Sequence, residues 1–296
     1  MTHVTLPFTK GHGTENDFVL VPDLDGTLDL TDAQVRFLAD RHAGLGGDGV
    51  IRVVRTEHAD EPDVRALAGE AAWFMDYRNA DGSRAEMCGN GTRVFAAYLR
   101  REGLARGEEI PIATRAGLKV ARRGSSSTGE ESFAVDLGPW RLLDPDAPTG
   151  RGFDTLVALP GMDPLPALSL DLGNPHVVVA LPESVDLMGI DLTHPPVLNP
   201  APADGANVEI VQPLGPGHLQ MRVHERGVGE TRSCGTGAAA AALALAVWSG
   251  AFGENTTWRV DVPGGTLTVR ALPGRRVELA GPAHLVADGT VQAPVG

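Results

Sequence analysis

Cysteine and lysine are both scarce in this 296-residue chain, with Cys88 and Cys234 the only two of the first and Lys10 and Lys119 the only two of the second. So few lysines leave little scope for Schiff-base chemistry. Aromatic residues make up 5%. The longest apolar run, Ala238 to Trp248, is too short to cross a bilayer. Met1 to Lys10 carries no apolar h-region, so a cytoplasmic location is expected, where two cysteines read as reactive rather than bridged. The net charge of −13 disfavours nucleic acid and anionic membranes as partners and otherwise serves solubility. None of the nine histidines stands in close paired spacing with a cysteine, so no metal site is expected.

What is present is a repeated phrase. Cys88-Gly89-Asn90-Gly91-Thr92 and Cys234-Gly235-Thr236-Gly237-Ala238 each lead into a helix-forming segment, Arg93 to Glu102 and Ala238 to Ser249, closed by Gly103 and Gly250. Each thiol is therefore expected at a helix N-terminus. There the dipole and the exposed backbone N–H groups favour negative charge, lower a thiol pKa toward neutrality and can hold a carboxylate. A structural disulfide or two small buried apolar side chains would be the bland alternative, and the mirrored glycine context weighs against it.

The symmetry reaches further. Asn16 precedes Gly49 by 33 residues and Asn174 precedes Asn207 by the same 33. Strand-like runs, Trp73 to Tyr77 and Leu219 to Val223, come before the cysteines, and hairpin-like segments, Ile110 to Val120 and Trp258 to Val269, follow the helices. Two copies of one plan imply an α+β fold of two pseudo-symmetric domains, each a mixed β-sheet wrapped around a central α-helix. The helix after Cys234 is apolar on every face and must be buried all round. A domain crossing near Gly138-Pro139 fits the repeat, so the expected domains are 1–138 and 139–282. Thr31 to His42 reads as a helix capped by Thr31. The polar stretch Arg123 to Glu131 reads as a flexible loop or hairpin tip, Gly44 to Gly49 as a turn, and the proline-rich 193–204 as irregular.

These residues permit a specific reaction. An amino-acid carboxylate held by two helix N-termini gains charge when its α-proton leaves, and preorganised N–H donors stabilise that charge as it develops. A thiolate on one face removes the proton and a thiol on the other returns one, inverting the centre without a cofactor.

The chain resembles the diaminopimelate epimerase family along its whole length. The likeness is carried by His12 to Phe18, Asn79 to Ser83, Cys88 to Arg93, Gly173 to His176, Asn207, and Glu225 to Gly237. The resemblance implies cofactor-independent interconversion of LL- and meso-diaminopimelate, on the route to lysine and peptidoglycan, and a C-terminal strand, 283–296, that returns to the first domain. It implies Cys88 and Cys234 as the acid/base pair, with His176 and Glu225 tuning the thiols. It also implies a substrate pocket of Asn16, Asn79, Gly89, Asn90, Asn174, Asn207, Glu225, Arg226, Gly235 and Thr236, and a homodimer, although Ala287 stands where some relatives carry an aromatic at the dimer contact. Proline and hydroxyproline racemases share the architecture, but tend to place His where Asn90 stands.

Overall fold

Both cysteines take the N-cap position itself. Their backbones are extended, with φ/ψ of −136°/123° at Cys88 and −123°/120° at Cys234, and each sulfur accepts the N–H three residues on, from Gly91 and Gly237, at 3.4 Å. Sulfur here does what a Ser or Asp oxygen does at an ordinary cap. The helices accordingly start at Gly89 and Gly235, several residues earlier than the apolar pattern suggested. They end where expected, with Gly103 and Gly250 at φ of 68° and 66° just beyond the C-caps.

The computed structural model describes residues 3–125, 131–203, 205–251, 253 and 256–295. Positions 126–130, the heart of the predicted loop, and Asp204 lie outside the described residues. The chain divides into two units, Met1–Val135 with Gly281–Gly296, and Asp136–Ala280.

The first unit contains β1 (His3–Gly13), β2 (Asn16–Pro22), β3 (Gly49–Arg55), β4 (Trp73–Asn79), β5 (Glu109–Thr114), β6 (Gly117–Ser125) and the start of β7 (Glu131–Pro139). Its helices are α1 (Asp32–Ala39), the single turn α2 (Pro62–Arg65) and α3 (Gly89–Arg101). β1 pairs antiparallel with β2 and with the C-terminal strand His284–Pro294. β2 runs parallel to β3, β3 antiparallel to β4, β4 parallel to β5, and β5 to β7 form a meander. The helix α3 packs on β1, β2, β3, β4 and β6, and Val94, Phe95, Ala96 and Leu99 join Phe18, Ile51, Met75 and Phe133 in one core. Thr31 forms a full capping box with Gln34, worth about 1 kcal/mol. This first helix stops at Ala39 rather than His42, because the Asp40 backbone is extended and its carboxylate instead accepts the N–H groups of His42 and Ala43.

The second unit repeats the plan. It comprises β8 (Arg141–Leu142), β9 (Thr155–Ala158), β10 (Leu165–Asp171), β11 (Pro175–Ala180), β12 (Val197–Asn199), β13 (Asn207–Gly215), β14 (His218–Glu225), β15 (Gly229–Thr231), β16 (Thr257–Val262), β17 (Gly265–Leu272) and β18 (Arg276–Pro282) with helix α4 (Gly235–Trp248). As in the first unit, β11 is parallel to β13, β13 antiparallel to β14, and β14 parallel to β16. The helix α4 is buried on all sides against β10, β11, β13, β14, β16 and β17, as its uniform apolarity requires. The proline-rich segment is not wholly irregular. Val197 to Asn199, between Pro196 and Pro200, pairs with β9 as a three-residue strand.

The two units share one register, in which directly paired residues are 31 apart. Phe18 is opposite Gly49 in the first unit and His176 is opposite Asn207 in the second. Two positions beyond each paired residue, at the 33-residue interval, Ile51 shares a core with Phe18 and Glu209 bonds to His176, beneath the two helix tips.

Candidate active site

In the first unit, Asn16 at the start of β2, and Cys88 with Asn90 at the tip of α3, come together. Asn16 Oδ1 accepts from Asn90 Nδ2 at 3.1 Å and lies 3.7 Å from Cys88 Sγ. Asn16 Nδ2 donates to Asp48 Oδ2 at 2.6 Å, and the backbone N–H of Asp17 donates to the same oxygen at 3.1 Å. Asp48 lies in the Gly-rich segment read only as a turn. It is tied to Arg41 at 2.8 Å, and Arg41 and Lys10 both pair with Asp17. Burial opposes ionisation of Asp17, but Arg41 and Lys10 outweigh it and hold its carboxyl at about 2. Burial and the Asp17 charge push Asp48 the other way, upward.

Behind Asn90 lies Arg93, fully buried. It donates to Asn90 Oδ1 at 2.8 Å and reaches the Pro282 carbonyl at 3.4 Å and Thr14 Oγ1 at 3.5 Å. Burial lowers its pKa to about 10, and negative charge on Cys88 works against that fall. Asn79 ends β4 opposite Gly49, exposed, with its amide donated to Ser83 at 3.0 Å. At Gly49 itself a side chain is excluded, since a Cβ would lie 2.5 Å from the Tyr77 ring.

In the second unit, a hydrogen-bonded chain leads to Cys234. Glu209 Oε1 is 2.7 Å from His176 Nδ1, His176 Nε2 is 3.0 Å from Asn174 Oδ1, Asn174 Nδ2 is 3.4 Å from Thr236 Oγ1, and Thr236 Oγ1 is 3.6 Å from Cys234 Sγ. Asn174 gives its amide hydrogen to Thr236, so its carbonyl oxygen must accept from His176. The Thr236 hydroxyl is then left to donate to sulfur. Asn207 Oδ1 accepts the backbone N–H of Arg226 at 2.9 Å, whose side chain is exposed, while Glu225 is half-buried and accepts from Thr231. Gly237 N–H is used by the Cys234 sulfur and Ala238 N–H by the Cys234 carbonyl, which leaves Gly235 and Thr236 at the tip of the helix.

The expectation of a lowered thiol pKa is overturned for Cys234. Burial, then the charges of Glu225 and Glu209, push this thiol well up, and the Thr236 and Gly237 hydrogen bonds only partly offset them. A helix tip is a fraction of a charge. Two carboxylates and desolvation outweigh it.

Both cysteines are free. Among the described residues no three His, Cys, Asp or Glu side chains gather as a metal site, and no helix is long and apolar enough to cross a membrane.

The sequence model of the diaminopimelate epimerase family matches residues 8–143 and 168–286. The chain belongs to the diaminopimelate epimerase family. Among the relatives of that name, one from Streptomyces coelicolor is 50% identical over 293 residues, covering 96% of this chain and 94% of its own length. One from Thermobifida fusca is 47% identical, covering 96% and 97%. The family fold extends to solved structures of low sequence identity. A PhzF-family phenazine biosynthesis protein from Bacillus anthracis superposes with a TM-score of 0.69 at 17% identity, over 97% of this chain and 99% of that one. A hydroxyproline epimerase from Agrobacterium vitis gives 0.66 at 14% identity, over 97% and 92%. A diaminopimelate epimerase is an isomerase, and the α+β architecture expected from the repeat is the one this family shares.

Proposed function

We propose that this chain interconverts LL- and meso-diaminopimelate by a two-base mechanism in which Cys88 and Cys234 act on opposite faces of one α-carbon. The observation that carries this reading is that each cysteine is itself the N-cap of a buried helix, its sulfur held by the amide of the third helical residue. Sulfur and tip amides thus come from the same turn, so a carboxylate received by the tip amides has its α-carbon beside the sulfur.

One thiolate takes the α-proton, and the C–H electron pair moves into the carboxylate as an enediolate-like oxyanion. The tip amides of Gly89, Asn90, Gly235 and Thr236 stabilise that charge. The other thiol delivers a proton to the opposite face and becomes the thiolate, so the stereocentre inverts and the pair ends with its roles exchanged. Asn16, Asn79, Asn174 and Asn207 read the amino-acid groups without adding charge, and Arg226, exposed and supported through its backbone by Asn207, binds the distal carboxylate. His176 and Glu225 tune the thiols. The protein works in the cytoplasm as a homodimer.

Incubation of reduced protein with LL-diaminopimelate and with L-proline in D₂O tests the reading. The expected result is α-deuterium uptake with inversion for the first and none for the second. Cys88→Ala and Cys234→Ala each lower inversion by roughly 10²-fold or more. Full activity in either variant, or turnover of proline in place of diaminopimelate, refutes the scheme.

A further inference from the structure

The two helix tips repeat one backbone plan, yet what lies beneath them differs in kind. Under Cys88, the space beside Gly91 is bounded by apolar groups: a Cβ there would lie 3.4 Å from Ile51 Cδ1 and 3.6 Å from the Phe18 ring. Under Cys234, the equivalent positions hold Glu209 and His176. A Cβ at Gly237 would lie 2.6 Å from Glu209 Oε1 and 3.3 Å from Cys234 Sγ. The carboxylate oxygen and the sulfur therefore both border Gly237 and lie within about 6 Å of each other.

Glu209 is completely buried and its side chain is directed by His176 through Oε1, while Oε2 has no hydrogen-bond partner among the described residues. An acidic side chain with one oxygen left unpaired is expensive to bury. The apolar run Val208 to Val211 would be better served by another aliphatic residue, as the first unit has at Ile51. The cost is incurred beside one sulfur and not the other.

We propose that Glu209 is a positioning residue whose carboxylate, held by His176, keeps Cys234 in its thiol form in the resting enzyme, so that Cys234 is the acid and Cys88 the base when substrate first arrives. The proposal rests on the two-base reading above. Its physical content is local to the second unit: negative charge about 6 Å from a buried sulfur disfavours a second negative charge on that sulfur. The charged groups that reach Cys234 are Glu209 from β13 and Glu225 from the end of β14. His176 from β11 acts through its bond to Glu209. Glu225 is half-buried and takes part in the substrate site, whereas Glu209 is buried and fixed, so its field is present whether or not substrate is bound. After Cys234 has delivered its proton, the Thr236 hydroxyl at the end of the chain from Glu209 is placed to donate to the new thiolate.

Cys88→Ala leaves Cys234 as the sole cysteine, so its titration is followed directly by thiolate ultraviolet absorbance, with no substrate present. Adding Glu209→Gln is expected to move the midpoint down by about 1–2 pH units. Glu209→Asp, which keeps the charge, leaves the midpoint within a few tenths of the parent. No movement with Gln, an upward movement, or an equal drop with Asp overturns the assignment, since the last would mean packing rather than charge. Should the Gln variant not fold, the parent decides: folded Cys88→Ala protein must titrate above the same protein in denaturant, and a midpoint at or below the denatured one overturns the proposal. In the enzyme with both cysteines, Glu209→Gln is expected to shift the pH profile of kcat/KM toward lower pH while Glu209→Asp does not. A titration shift in a protein that leaves diaminopimelate untouched would remove the function proposed above and leave the link between Glu209 and Cys234 standing.

Discussion

The carboxylate of Asp48 accepts the Asn16 amide at 2.6 Å, and this bond decides which end of the Asn16 side chain faces Cys88. With Nδ2 committed to Asp48, Oδ1 is turned toward both the sulfur and Asn90. An asparagine without that anchor presents either end. Asp48 is therefore as much a part of the Cys88 half-site as the residues that line it.

Asp48→Ala removes the acceptor for Asn16 Nδ2 and for the Asp17 N–H. The expected outcome is a loss of about 10-fold in kcat/KM, corresponding to ~1.4 kcal/mol of misplaced hydrogen bonding. Steady-state kinetics with diaminopimelate decide it. An unchanged kcat/KM would mean that Asn16 is held by Asn90 alone.

The Thr236 hydroxyl receives from Asn174 and stands 3.6 Å from Cys234 Sγ. A hydrogen bond to a charged sulfur is worth about 1.5–3 kcal/mol, so Thr236→Val should lower kcat by roughly 10- to 100-fold. Thr236→Ser keeps the donor and should retain activity within a few-fold. Equal activity of the Val and Ser variants would show that only the backbone at this position matters.

The two glycines that cap the sulfurs are not equivalent. A Cβ on Gly91 meets nothing nearer than 3.4 Å, whereas on Gly237 it lies 2.6 Å from Glu209 Oε1. Gly91→Ala is expected to leave stability within about 0.5 kcal/mol or raise it slightly through helix propensity. Gly237→Ala must displace a buried carboxylate and should cost about 1–3 kcal/mol. Chemical denaturation of the two variants side by side makes the comparison.

Stability at alkaline pH should also report Cys234. Burial, Glu225 and Glu209 raise its folded pKa above the unfolded thiol, so the folded state holds the proton more tightly. That contribution is fully present below the unfolded thiol pKa of roughly 8.5 and is lost as pH rises from there through the folded pKa. Between neutral pH and about pH 10 the melting temperature of the parent should fall more steeply than that of Cys234→Ser. Parallel slopes in the two proteins would contradict the raised thiol.

Much of the half-site was legible because it depends on local chain chemistry. A cysteine followed by a glycine-rich phrase and a helix-forming segment reads as lying at a helix N-terminus, although the apolar pattern starts each helix several residues late and does not show the N-cap role, and the closing glycines mark the other end. Other features were hidden by the same local view. Asp48 sits in a glycine-rich turn, and nothing adjacent to it says that it will meet Asn16, 32 positions earlier in the chain. Glu209 was missed although a signal exists: it follows His176 by the interval that relates Asn174 to Asn207, in a strand that is otherwise aliphatic. A charged residue at an inward strand position, two places beyond the one paired with a histidine, marks a buried pair.

From its order of residues the chain determined two capped helices, the strand pairs around them and the placement of one thiol at each tip, because capping, periodicity and turn chemistry act over a few positions. Only the folded structure decided the state of a thiol. Desolvation and charge depend on neighbours brought from distant strands, and at Cys234 they reverse what the helix dipole alone would have done.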